Sequence, residues 1–280
     1  MSEVPYLEAW VEGVGVIGPG LTGWEQARAV LSGEAPYEAA PTALPAPELL
    51  PPAERRRASR IVKATLAAGL EACRQAGREP ATLANVFAAS GGDGHNCHQI
   101  CELLATGDRQ ISPTRFHNSV HNAASGYWSI ATGATPPAQV LGAYDASFGA
   151  GLLEAMTQVA AGGEPVLLVA GDSEYPEPLH AKRPIQDTGA LALVLSPVRT
   201  PASLAALRLP RRGALAEGAS TALPAQLPEP LRQLAQTMPP MRGLVLFEAL
   251  ALVQRAQAAH ENIAIEYLPP QVLRLEVLAA

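Results

Sequence analysis

Residues 140 to 151 read VLGAYDASFGAG: an apolar run, a tight turn of small residues, then the start of a helix. Enzymes use this strand-turn-helix geometry to hold a nucleophile at a helix amino terminus. The residue at the apex is Asp145, a carboxylate that the helix dipole stabilises but that is a poor nucleophile for acyl transfer. On charge alone, Asp145 is expected to cap the first turn, accepting hydrogen bonds from free backbone N–H groups. Ser147 sits where a G-x-S-x-G elbow would put its serine, yet the first glycine is replaced by Asp145 and no Asp-then-His pair follows in order. His95, Cys97, His98 and Cys101 are of ligand type, with His98/Cys101 and Cys97/Cys101 sharing a helix face. No second ligand pair at zinc-site spacing occurs elsewhere, so no metal is expected. His117, Asn118, His121 and Asn122 are catalytic by type, but an imidazole with no nucleophile partner has no defined reaction, and packing or pocket lining is the expected use.

The chain that must position these groups has 280 residues, 48% of them hydrophobic and 16% charged, enough to bury a sizeable core. A net charge of −6 without a long basic run argues against nucleic acid and leaves small molecules or proteins as partners. The start, MSEVPYLEAW, is acidic where a secretory signal is basic, and no apolar run approaches the ~18 residues of a membrane span. An odd count of three cysteines offers no disulfide framework and fits a reducing compartment, so a cytoplasmic location is expected.

YLEAWVEGVGVIGP reads as a strand and TGWEQARAVLSGE as a short helix with a glycine stop. Residues 35 to 52 are too rich in Pro and Ala for regular structure. From Glu54 to Gly77, Ile61, Val62, Leu66, Ala67, Leu70 and Cys73 recur at helical spacing opposite Arg57, Arg60, Lys63 and Arg74. ANVFAAS is a strand, HNCHQICELLATG and AASGYWSIATG are helices ending at Gly107 and Gly133, and AQVLGAY is the strand leading to Asp145. SFGAGLLEAMTQVAAGG is apolar around nearly its whole circumference, as a buried helix is. PVLLVAG and TGALALVLSP lack alternation and read as central parallel strands covered on both faces. Beyond Pro201, SLAALRL and QVLRLEVLA could be strands, RGLVLFEALALVQRAQ is a helix, and the Pro-rich 223–240 stretch is a loop. The alternation of strands and helices predicts an α/β sandwich.

VEGVGVIGPGLTGWEQARAVLSGE resembles the opening strand and helix of the β-ketoacyl synthases, and RRRASRIVKATLAAGLEA resembles their next long helix. ISPTRFHNSVHNAASGYWSIATG followed by VLGAYDASFGAGLLEA resembles the segment leading into their active-site cysteine. Within the family the chain is most similar to the short chain length factors of aryl polyene and xanthomonadin-type pathways. The resemblance implies a thiolase-like (condensing-enzyme) half fold: a mixed, mostly parallel sheet packed between helices, with a buried central helix. Residues 1–200 would be the ketosynthase N-terminal-like domain and 201–280 a carboxy-terminal extension packed on it. Asp145, or Tyr144 in the one alternative register, stands at the position of the family's nucleophilic cysteine. Of the histidines that the family uses for decarboxylation, only His260 lies beyond Pro201, without the glycine-rich context of their motifs. The implied role is therefore noncatalytic, with no cofactor: a subunit that pairs with a full-length β-ketoacyl-[acyl carrier protein] synthase, as heterodimer or heterotetramer, and meets acyl carrier protein through that complex. In this reading Ser90, Asp93, Arg115, Phe116 and His117 form the gate of the acyl pocket, and His121, Asn122 and Tyr144 lie at the subunit interface, within the 111–145 segment. An independent acyl-binding enzyme, hydrolase or acyltransferase, is the alternative.

Overall fold

The computed structural model describes residues 6–107, 109–210, 213–255 and 260–280. In chain order the elements are β1 (Tyr6–Ile17), α1 (Trp24–Leu31), α2 (Pro52–Arg57), α3 (Arg60–Ala76), β2 (Ala84–Ala88), α4 (Gly94–Ala105), α5 (Pro113–Asn118), α6 (Ala123–Thr132), β3 (Ala138–Leu141) and α7 (Ser147–Gly162). They continue as β4 (Val166–Asp172), β5 (Gly189–Ser196), β6 (Ala205–Pro210), β7 (Leu215–Glu217), α8 (Glu229–Thr237), α9 (Leu244–Gln254), β8 (His260–Glu266) and β9 (Gln271–Ala279). All nine described strands join one mixed sheet in the order β3-β2-β4-β5-β1-β6-β9-β7, with β8 on the other side of β9.

Parallel pairing is confined to β3-β2-β4 among the described strands. Strand β5, read from its apolar run as parallel, is antiparallel to both β4 and β1. All eight of its residues are buried, and burial on both faces produces an unbroken apolar run whichever way a strand points.

Helices α3 and α6 cover one face, where Leu66, Ala68, Tyr127 and Trp128 pack on Phe87, Leu167 and Val194. Strand β1 carries its VEGVG glycines for this contact: a Cβ on Gly13 would lie 2.0 Å from the Ala72 carbonyl oxygen, and one on Gly15 1.9 Å from that of Ala68. Helix α3 ends as its sequence predicts, with Gly77 left-handed and the Arg78 N–H bonded back to the Cys73 carbonyl. The predicted helix from Glu54 is broken at Ala58 and Ser59 into α2 and α3.

The other face packs α7, α9 and α1 around Phe148, Leu152, Met156, Leu246, Phe247 and Trp24. Helix α7 is buried along its amino-terminal half, but Thr157 and Ala160 to Gly162 are exposed. Alanine and glycine read as apolar in a pattern yet tolerate water, which is why the sequence suggests burial all round. It is α9 that is buried from Leu244 to Ala251 without a break. Residues after 200 continue the sheet through β6, which pairs with β1, and bring Ile265, Leu273 and Val277 into the α7–α9 core. The chain thus covers its own central helices. The Pro-rich 223–240 stretch, read as a loop, contains α8, because Pro228 and Pro230 fall at its start, where a missing N–H costs nothing. The free edge of β8 is bridged at Ala264 by Thr221, whose N–H donates to the Ala264 carbonyl and whose Oγ1 accepts from the Ala264 N–H. Strand β3 has β2 on one side and no strand on the other among the described residues.

Candidate functional site

The carboxyl ends of the parallel strands β2, β3 and β4 converge, which in α/β sheets is where sites are built. Ser90, just past β2, is fixed by Asp172 at the end of β4: its N–H lies 3.0 and 3.1 Å from the two carboxylate oxygens, and its hydroxyl donates at 2.9 Å. Burial pushes the Asp172 carboxyl up to about 7, against the opposing pull of the Ser90 hydrogen bonds and the Gly91 N–H. Asp93 caps α4, accepting from the Asn96 N–H at 3.0 Å, and Asn96 donates to the Arg115 carbonyl, tying α4 to α5. The His121 ring nitrogen Nε2 is 3.2 Å from the Ala89 carbonyl oxygen. Between these groups runs a narrow cleft lined by Thr65, Phe87, Asn118, Val120, His121 and Val140, with a water-accessible volume of about 20 Å³. That is on the order of a single water and too little for an acyl chain in this conformation.

Beside the cleft, β3 turns into α7. The left-handed backbone falls on Tyr144 (φ 54°), one residue before Asp145, so the strained apex of the elbow is a tyrosine. The Ser147 hydroxyl accepts from the Ala143 N–H at 2.9 Å and donates to the Tyr144 carbonyl at 2.7 Å. Ser147 is buried and committed to the turn, which removes the elbow-serine reading. Asp145 does not cap α7. A short 3-10 turn over Tyr144–Ala146 places Ala146 at the N-cap, without a side-chain cap bond, and leaves Asp145 facing two arginines. Its carboxylate pairs with Arg183 at 2.5 Å and Arg242 at 3.1 Å, and Arg242 also pairs with Glu266. The Arg183 guanidinium stacks 3.7 Å from the centre of the Tyr144 ring.

The candidate residues divide. Asp93 and His121 line the cleft and Ser90 stands just behind it. Arg115, Phe116 and His117 lie on α5 and do not line it. Phe116 is 66% exposed, and the His117 ring meets Tyr127 edge-on at 6.4 Å. Asn118 is buried, donating to the Arg57 carbonyl and accepting from the Tyr127 hydroxyl. His121, Asn122 and Tyr144 are exposed. On α4, His98 faces Glu102 at 3.2 Å and His95 faces Glu174 at 3.7 Å; no group of three such side chains is placed to hold a metal among the described residues. His260 stands exposed at the start of β8. Arg183, Arg242, Glu266 and Asp172 complete the site unannounced by any motif. Only Asp172 leaves a sequence signal, a lone acid closing the apolar run PVLLVAGD.

A mixed sheet with paired buried helices and an elbow at the head of one of them defines a condensing-enzyme scaffold. Residues 24–244 match the model of the β-ketoacyl synthase N-terminal domain, and the chain belongs to that family. No curated protein sequence matches it. Among solved structures it is similar to a ketosynthase (ApeO) in complex with its chain length factor (ApeC) from Xenorhabdus doucetiae, at 22% identity and TM-score 0.66, over 97% of this chain and 99% of that one. It is also similar to a type II acyl carrier protein complex with its ketosynthase bound to the hexaketide (AntDE:AntF; 13%, TM-score 0.68, 98% and 99%). The ishigamide ketosynthase/chain length factor is a third (14%, TM-score 0.66, 97% and 99%). At these identities the likeness establishes the thiolase-like fold. No described helix is long and apolar enough to cross a membrane.

Proposed function

We propose that this chain is a noncatalytic chain length factor subunit, which pairs with a full-length β-ketoacyl-[acyl carrier protein] synthase in the cytoplasm and shapes its acyl pocket in aryl polyene or related polyketide biosynthesis. The observation that carries the reading is the elbow. Its strained residue is Tyr144, its neighbour Asp145 is locked between Arg183 and Arg242, and the three cysteines lie elsewhere, on α3 and α4. Neither a phenol nor a carboxylate does the transacylation of a thiolate. The partner would supply cysteine and histidines. Support for pairing comes from the bare edge of β3 and the exposed Phe116, Val120 (45%) and Tyr144 (62%) nearby in sequence, since apolar surface beside an unpaired strand favours a covering subunit.

Co-expression with a ketosynthase encoded beside it, followed by size exclusion and native mass measurement, tests this. A heterodimer or heterotetramer is expected, with ketosynthase activity that depends on this chain. A monomer beside a fully active ketosynthase would overturn the reading. So would an acyl adduct on this chain, seen by intact mass after incubation with acyl carrier protein.

A further inference from the structure

A cavity larger than the cleft lies away from the elbow. Helix α3 turns Lys63, Leu66, Ala67, Leu70 and Arg74 toward the Pro-rich strap, residues 43–49, and the two flank an open volume of about 660 Å³ that Val16, Ile17 and Thr22 also line. The strap is fixed at both ends. Thr42 donates its N–H to Asp187 and its hydroxyl to the Thr188 carbonyl, while Leu50 is buried and Arg55 binds the Glu48 and Leu50 carbonyls.

Its chemistry is selective. Its lining is mostly aliphatic and proline, with two cations, Lys63 and Arg74, and two acids, Glu48 and Glu71. Of the acids, Glu71 is committed, accepting from the Val16 N–H at 2.9 Å and the Trp24 N–H at 2.6 Å. The Lys63 ammonium has no partner among the described residues. Lys63 and Arg74 are eleven residues apart, ~16 Å along the helix at 1.5 Å per residue. The apolar residues Leu66, Ala67 and Leu70 lie between the two cations, so an elongated apolar ligand lying along them brings one end to a charged group. At about 660 Å³ the groove falls in the size range of small-molecule sites.

We infer that this groove binds a single-chain alkyl carboxylate, the chain lying along Leu66, Ala67 and Leu70 and the head group on Lys63. The inference is independent of the proposed pairing with a ketosynthase. Calorimetric titration of the full chain with dodecanoate, dodecanol and dodecylamine, each below its micellar concentration, tests it. One saturable site for dodecanoate is expected, with dodecylamine at least ~10-fold weaker. Lys63→Glu should weaken dodecanoate at least ~10-fold and reverse the preference. Ala67→Phe should weaken all three; if it lowers the unfolding temperature, Leu49→Asp on the exposed strap replaces it. Absence of saturable binding, dodecanoate affinity unchanged by Lys63→Glu, or equal affinity for the amine would overturn the assignment. Binding only to phosphatidylglycerol vesicles, with none to free dodecanoate, would also overturn it.

Discussion

Replacing Asp145 with alanine removes the one carboxylate on which Arg183 and Arg242 converge. Arg242 keeps Glu266, but Arg183 keeps only the Tyr144 ring and a longer-range attraction to Asp172, and its Nη2 already has no hydrogen-bond partner. Breaking a fully buried pair costs ~3–5 kcal/mol, and a hydrogen bond to a charged group is worth ~1.5–3. The three side chains are 17–26% exposed, so water can partly solvate the orphaned guanidinium, and the expected loss is ~2–3 kcal/mol. For a chain of this size that corresponds to a fall in Tm on the order of 4–10 °C. Urea unfolding of Asp145→Ala, Arg183→Ala and the double variant measures it. The double variant should lose less than the sum, with a coupling on the order of 1 kcal/mol. Additive losses, or an Asp145→Ala variant within ~0.5 kcal/mol of the parent, would refute the clamp.

Three further outcomes are expected. Burial raises both the Asp172 and Glu248 carboxyls to about 7, Glu248 with added repulsion from Glu261. Their folded values exceed their unfolded ones, so the native state holds more protons between pH ~4 and ~7 and stability falls as pH rises through that window. Unfolding free energies at pH 5.5 and pH 8 should differ in that sense, and Glu248→Gln should shrink the difference; an equal pH dependence in the variant would count against it. Gly15→Ala drives a methyl into the Ala68 carbonyl and should cost at least ~2 kcal/mol or abolish soluble expression, whereas parent-like melting would show that α3 is free to retreat. Phe116→Ala in the ketosynthase complex should lengthen the products if the ring gates the pocket, read at matched complex content; a weaker complex with unchanged products would make it an interface residue.

What the sequence discloses follows from how locally each feature is encoded. The α3 stop at Gly77 and the β2, β3 and α6 elements rest on short-range patterns and stand where expected. Strand direction in β5 depends on its neighbours, which no run of apolar residues records. The break between α2 and α3 was hidden because Ala58 and Ser59 interrupt neither charge nor spacing. At the elbow, residue type ruled out a thiol nucleophile, but the positive φ at Tyr144 leaves no mark in a residue type, and the two arginines on Asp145 come from segments 38 and 97 residues downstream. A capping carboxylate and an ion-paired one look alike until those segments fold back.

The two ends of the sheet are treated differently. At one, Thr221 occupies the outward hydrogen-bonding positions of Ala264 on β8, and β7, on the opposite side of β9, is only three residues long. At the other, the four residues of β3 keep their outer N–H and C=O groups free of any described strand. Strand addition is thus obstructed at Ala264 and open along β3. A neighbour added through β3 uses up that edge, and the Thr221 bridge on β8 works against the same step being repeated from the far end, which is how a sheet can keep one bare edge without serving as a template for an open-ended filament.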